Sequence, residues 1–491
     1  MSLHRVVRDV FVYGAGDLLL RATAFITLPI YTRILTPADY GVWAYVGSGV
    51  SLLTAFLILG GDSAYARFYF EAKTLEAKQV LTSTWFGFLA LWSGTIILVI
   101  VPFSGYVSGW AFSTSKWGLL IALSLLTAPL SLMNSLLGQV LRNEFKPKLF
   151  TVLNVIYVLS GVVLSIVFAA VLGWGVTGLA AGGLVGAVLM IPPRIWFARH
   201  LLRPTFRPAL LGELLRFGVP YVPGSLAWWV FGLSDRIVLG RLSTLREVGL
   251  YSVANSATSG LSLLSGSLGQ AWSPHAIRMY EEDPQDASRL YGRMLTYIVV
   301  SFGVLAVGVT AFAHELLSLL ATNKFEGAAR AVGPLALSIV AAASIQVTAA
   351  GMSLKKRTSY LALFAWGAAV INLALNLAFV PGFGMLASAW ATLASYMFLT
   401  IGYFLVSQHL WKVSVERRKL TVALIVITAF TVAVPALPSL SLAPGLALKL
   451  GYLACCVVAL VIGGAVDRRE VAVMGDGLRR FAFRQRPREA S

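Results

Sequence analysis

The chain runs to 491 residues, 58% of them hydrophobic and only 12% charged, with a formal net charge of +18 at pH 7. Soluble domains carry about 45–50% apolar and about 25% charged residues, so a water-soluble globular protein of this length is excluded. The apolar residues come in long charge-free runs of bilayer-spanning length rather than in the weak alternation of a β-barrel, and the excess of Lys and Arg then reads as an inside bias rather than as a nucleic-acid surface.

Gly and Pro divide these runs. Pro102-Phe103-Ser104-Gly105, Gly173-Trp174-Gly175, Pro381-Gly382-Phe383-Gly384 and the prolines at 435, 438 and 444 mark turns. The spans expected in chain order are 10–35, 42–62, 80–103, 117–140, 149–171, 174–196, 214–239, 248–273, 292–313, 331–353, 359–380, 384–407, 420–436 and 445–466. The chain is therefore read as an all-α polytopic membrane protein of about 14 transmembrane helices. An even count puts both termini on one side. With that side cytoplasmic, 29 of the 39 basic residues fall in cytoplasmic segments and six on the opposite face. That is the asymmetry of the positive-inside rule.

The sequence also repeats. Arg33-Ile-Leu-Thr-Pro-Ala-Asp39-Tyr-Gly41-Val-Trp43 aligns with Arg241-Leu-Ser-Thr-Leu-Arg-Glu247-Val-Gly249-Leu-Tyr251 at an offset of 208. An offset one residue longer maps Gly173-Trp174-Gly175 onto Gly382-Phe383-Gly384. Each pair falls at corresponding loops, which predicts two parallel-topology six-helix lobes, 1–200 and 201–410. A two-helix appendix, 411–466, and a basic cytoplasmic tail, 467–491, follow. Transporters assembled from paired repeats hold substrate between the halves and rock them.

Ionisable residues inside a membrane cost several kcal/mol and face a partner or a cavity. Asp17 and Arg21 lie four apart on one face of the first span. Asp235 and Arg236 lie in the seventh, its counterpart in the second lobe, while Asp62 ends the second and Arg67 follows it. The expectation is that Asp17 and Arg21 line a water-filled cavity between the lobes with Arg236 opposite. Arginine suits an anionic substrate because its fork binds phosphate in two-point fashion. No G-x-x-x-x-G-K-[ST] loop is present, the five histidines have no metal-type spacing, and Cys455-Cys456 reads as a small core pair. No catalytic constellation, metal site or cofactor is expected.

At Arg33-Ile-Leu-Thr-Pro-Ala-Asp-Tyr-Gly41 the chain resembles the O-antigen type of polysaccharide flippase. Ser234-Asp235-Arg236-Ile237-Val238-Leu239-Gly240 leading into Val248–Ala254, Gly351–Thr358, and Asn372 and Asn376 before Pro381-Gly382-Phe383-Gly384 strengthen the resemblance, which spans residues 10–410. It implies the fold of the multidrug/oligosaccharidyl-lipid/polysaccharide exporter superfamily. It also implies a transport function without enzymatic chemistry: moving an undecaprenyl-pyrophosphate-linked oligosaccharide to the outer leaflet of a bacterial inner membrane by alternating access. The cationic central cavity of the family would fall here to Arg21, Arg236 and Arg67. Asp17, Asp62 and Asp235 are the candidates for ion pairing or for coupling to a Na+ or H+ gradient. Membrane lipids, a polysaccharide polymerase and a chain-length regulator are the expected partners. A lipid II flippase, a polysaccharide-secretion complex component and an ion-coupled multidrug exporter of the same superfamily are the alternatives.

Overall fold

In hydrocarbon no water pairs with backbone N–H and C=O groups, so a spanning chain must satisfy them internally, as helix or closed barrel. This chain does so as helix. The structure is a computed structural model that describes residues 23, 25–438 and 440–466, among which no strand occurs. In chain order the helices are α1 (25–34), α2 (Pro37–Leu57), α3 (Gly61–Glu71), α4 (Leu75–Ile100), α5 (Ser104–Phe112), α6 (Gly118–Asn143), α7 (Pro147–Ile166), α8 (Gly175–Ala198), α9 (Pro208–Gly218) and α10 (Val222–Leu242). There follow α11 (Leu245–Glu282), α12 (Pro284–Ala311), α13 (Ala313–Leu320), α14 (Ala329–Thr348), α15 (Ala350–Leu354), α16 (Ser359–Phe383), α17 (Met385–Leu410), α18 (Arg417–Ala433) and α19 (Leu442–Ile462).

Among the described residues, eleven stretches are long and apolar enough to cross a membrane. They correspond to the expected spans two to six and nine to fourteen. Most of the first expected span lies outside the described residues. The seventh and eighth are helical but less apolar. Pro220 and Pro223 divide the seventh into α9, a 3-10 turn at Val219–Tyr221, and α10, which carries Asp235, Arg236 and Arg241. The eighth is the 38-residue α11, rich in Ser and Gly.

Two compact units divide the described chain. The first takes residues up to 256 together with 317–328 and 365–391; the second takes 257–316, 329–364 and 392 onward. In the second unit α12 packs on α14, α18 and α19 around Ile298, Phe302, Val340, Ile427 and Leu460. Lys449 in α19 donates to both carboxylate oxygens of Glu315 in α13, at 2.6 and 2.7 Å.

In the first unit, helices approach closely where side chains are small. Gly178, Gly182 and Gly186 recur every four residues on α8 and face Ala169, Ser165 and Gly161 of the preceding hairpin arm, again four apart. A Cβ on Gly182 would lie 2.1 Å from the Ser165 amide nitrogen. This is the small-residue packing that lets helices associate in lipid, where burial of apolar surface supplies no drive.

The repeat motif is a helix start. Thr36 caps α2: its Oγ1 accepts from the Asp39 amide at 3.2 Å and Asp39 answers by accepting from the Thr36 amide at 3.4 Å, with Pro37 at the first helical position. In the second copy Thr244 Oγ1 accepts from the Glu247 amide at 3.2 Å. The Glu247 carboxylate, however, reaches away and accepts from the Met385 amide at 2.8 Å, at the start of α17. The two copies lie against each other. A Cβ on Gly41 would sit 1.7 Å from the Leu245 carbonyl oxygen and 3.0 Å from the Gly249 nitrogen. One on Gly249 would sit 1.9 Å from the Pro37 carbonyl oxygen and 3.1 Å from the Gly41 nitrogen. Pro37 and Leu245 are themselves 208 residues apart, so the contact is reciprocal, as across a twofold axis.

Gly182→Val should overpack the α7–α8 hairpin at a cost of about 1–3 kcal/mol or more, read as a lower thermal unfolding temperature in detergent. Gly183→Ala, which meets nothing within 4 Å, should leave that temperature unchanged; equal loss in both would refute the packing account.

Candidate functional site

Of the six charged residues expected to form the site, Asp17 and Arg21 lie outside the described residues. The other four all belong to the first unit but are not brought together.

Asp235 and Arg236 form a buried cluster with Tyr251. Asp235 is only 2% exposed. Its Oδ1 accepts from the Arg236 amide at 2.8 Å and from Arg236 Nη1 at 3.2 Å, and its Oδ2 accepts from the Tyr251 hydroxyl. Arg236 Nη1 also donates to the Gly232 carbonyl at 3.2 Å, and the guanidinium carbon lies 5.6 Å from the Tyr251 ring centre. The cluster joins α10 to α11 beside the Gly41–Gly249 contact, since Tyr251 follows Gly249 by two residues. The carboxylate accepts from three donors. The guanidinium has five N–H groups and keeps some to offer an anion.

Arg67 is placed differently. It is exposed on α3, pairs with Glu71 at 2.9 Å and stacks at 4.9 Å over the Phe217 ring. Asp62, in the first turn of α3, lines a cavity of about 230 Å³ together with Ser135, Gly138, Gln139, Arg142, Phe150, Asn154 and Arg194. The Gln139 side-chain amide donates to the Asp62 carbonyl at 3.0 Å.

Arg194 is the residue that the sequence reading missed, because it counted there as a positive-inside residue at a span end. It is 1% exposed. Nη1 donates to the Asn134 carbonyl at 2.5 Å, Nη2 donates to Asn154 Oδ1 at 2.6 Å and to the Leu153 carbonyl at 3.5 Å, and the guanidinium lies 5.4 Å from the Tyr157 ring centre. Nε has no partner. Gly138 makes room for it: a Cβ there would stand 2.7 Å from Nη1. The available signal was Ile195-Trp196-Phe197-Ala198 after it, which continues the apolar character of α8 past the arginine instead of ending it.

Residues 30–330 match a family described as polysaccharide biosynthesis protein. The succinoglycan biosynthesis transport protein ExoT of Rhizobium meliloti (strain 1021) is 22% identical over 320 residues, which is 64% of this chain and 62% of that protein, so the likeness spans less than two thirds of the relative. Among solved structures, lipid II flippase MurJ in an inward closed conformation matches with a TM-score of 0.72 at 12% identity, covering 94% of this chain and 100% of its own. An inward-facing multidrug resistance transporter of the MATE family, MOP superfamily, matches at 0.61 and 18% identity, covering 79% and 94%. A MOP superfamily transporter from Pyrococcus furiosus matches at 0.53 and 17% identity, covering 82% and 95%. These likenesses establish the fold.

Removing one partner of a buried pair strands the other charge, at about 3–5 kcal/mol. Asp235→Ala should therefore lower the thermal unfolding temperature more than the double substitution Asp235→Ala with Arg236→Ala, which leaves no buried charge unpaired. A double variant as unstable as the sum of the singles would show that the pair is not coupled.

Proposed function

The chain belongs to the polysaccharide biosynthesis protein family, and from that premise we propose that it is a flippase for a lipid-linked polysaccharide repeat unit. The carrier is undecaprenyl pyrophosphate, and transport runs from the cytoplasmic to the outer leaflet of a bacterial inner membrane by alternating access. The shared fold with a lipid II flippase and with multidrug exporters does not select a substrate; family membership is what favours polysaccharide.

The observation that carries the transport reading is the reciprocal contact of the two repeat motifs. Two lobes, 1–200 and 201–410, related by an axis along the membrane normal would meet in this way where they close. The seam is extended by Tyr40 against Phe325, edge to face at 5.9 Å, by Thr322 donating to the Thr32 carbonyl at 3.4 Å, and by Glu247 at the start of α17. All these groups fall on the face with few basic residues. This contact is the closed outer gate; its centre is backbone packed on backbone at glycine, and opening it would uncover the Tyr40 and Phe325 rings at its rim. With both termini cytoplasmic, the basic loops lie on the opposite face and the substrate enters there.

Arg236 binds the pyrophosphate, with Arg21 as its counterpart in the first lobe. Asp235 and Tyr251 orient Arg236. Asp17, Asp62 and Asp235 are the groups through which a Na+ or H+ gradient would be coupled. A polysaccharide polymerase or chain-length regulator receives the product. The spans that fall short of full apolarity, the seventh and eighth, are those in which a polar transport path would run.

In a strain lacking its own O-antigen or capsule flippase, the wild-type chain should restore surface polysaccharide, and Arg236→Ala at matched membrane levels should reduce it by about tenfold or more, the loss expected for a charge-assisted contact. Full restoration by Arg236→Ala would remove that residue from the site. Failure of the wild type with several repeat units, alongside rescue of a lipid II flippase deletion, would overturn the substrate assignment.

A further inference from the structure

The cavity around Arg194 has a charge imbalance that the protein does not resolve. A guanidinium that is 99% out of contact with solvent lacks any ion-pair partner among the described residues, and its Nε makes no hydrogen bond. Uncompensated buried charge costs several kcal/mol, and proteins retain it where something else supplies the counter-charge. A second cation, Arg142, lines the same cavity, exposed and within electrostatic reach of the one acid present, Asp62, without a direct ion pair. Ser135, Gln139 and Asn154 add neutral polar groups, and Gly138, where a Cβ would stand 2.7 Å from Arg194 Nη1, leaves the guanidinium room beside the cavity. Gln139 Oε1 is buried without a donor.

We propose that this cavity is a binding site for a phosphate group, distinct from the Asp235–Arg236–Tyr251 cluster. Two guanidinium groups supply the charge, Arg142 with its fork and Arg194 with Nε and the N–H groups that its bonds to Asn134, Leu153 and Asn154 leave over. A protonated phosphate oxygen, or a hydroxyl of the same headgroup, supplies the proton that Gln139 Oε1 lacks. Size selects among ligands. The cavity holds about 230 Å³, the volume of roughly seven or eight waters at about 30 Å³ each. That falls below the range of about 300–1,000 Å³ typical of drug-sized ligands, so a phosphate or a phospholipid headgroup fits and an oligosaccharide does not. The cavity is built from the ends of α6 and α8 and the starts of α3 and α7, beside the basic segments 142–148 and 194–207. A headgroup held there would tie these four helices together at the lipid boundary.

The test uses the purified full-length chain in phosphate-free buffer and neutral detergent. Thermal unfolding is followed with inorganic phosphate or pyrophosphate against chloride at matched ionic strength, and native mass spectrometry is run after reconstitution with phosphatidylglycerol or phosphatidylcholine. Either phosphate salt should raise the unfolding temperature, or phosphatidylglycerol should be retained in preference to phosphatidylcholine. The first result identifies a free-phosphate site and the second a lipid-headgroup site. Arg194→Gln should weaken the effect about tenfold or more, as expected for loss of a charge-assisted contact. Arg142→Gln and Asp62→Asn, at exposed positions that do not threaten folding, should weaken and strengthen it respectively, each by about two- to fivefold. No response to any of the three probes overturns the proposal, as does a response indifferent to both exposed substitutions. Surface-polysaccharide complementation is a separate readout, so failure here leaves the transport reading untouched.

Discussion

Nothing in hydrocarbon competes for a peptide group, and nothing there solvates a charge. That constraint governs every level of this molecule. It makes each described element a helix. It makes helix contacts depend on how closely backbones can come, since apolar side chains gain nothing by leaving lipid for protein. It also requires each buried ionisable group to be paired, as Asp235 is with Arg236 and Tyr251, or to await a partner, as Arg194 does.

Glycine is used accordingly. On α8 it recurs every four residues and sets the α7–α8 hairpin permanently, with Cβ positions blocked by backbone at 2.1–2.7 Å. At Gly41 and Gly249 the blocking is as severe, but the two residues come from copies of one motif rather than from a hairpin. A hairpin contact has no reason to open. A contact between repeats, anchored at one side by the Glu247 bond to the Met385 amide, lies where two halves of a transporter would separate.

The charges divide by environment in the same way. Arg67, with Glu71 and Phe217 beside it and water in reach, is stable without a ligand. Arg236 is balanced internally and held in one orientation. Arg194 is neither exposed nor balanced, which marks it as the group whose stability most depends on something outside the chain.

Composition alone determined the fold class. Apolar runs of sufficient length, a basic asymmetry and the absence of alternation have one physical solution, and eleven of the expected spans appear where punctuation by Gly and Pro put them. The repeat was also legible, because a helix start needs Thr, an acid three residues on and a small residue beyond, and both copies keep them. What the sequence could not supply was contact. Gly41 and Gly249 read as two similar loops; only the folded chain puts each Cα against the other's backbone. Asp62 and Arg67, five residues apart, read as one site, yet a helix turns them onto different surroundings, one lining a cavity and the other facing solvent. Arg194 read as one more basic residue at a span end, because positive-inside counting scores charge by position along the chain. Whether a guanidinium there reaches water is decided by α3, α6 and α7, which close over it from segments 40 to 130 residues away.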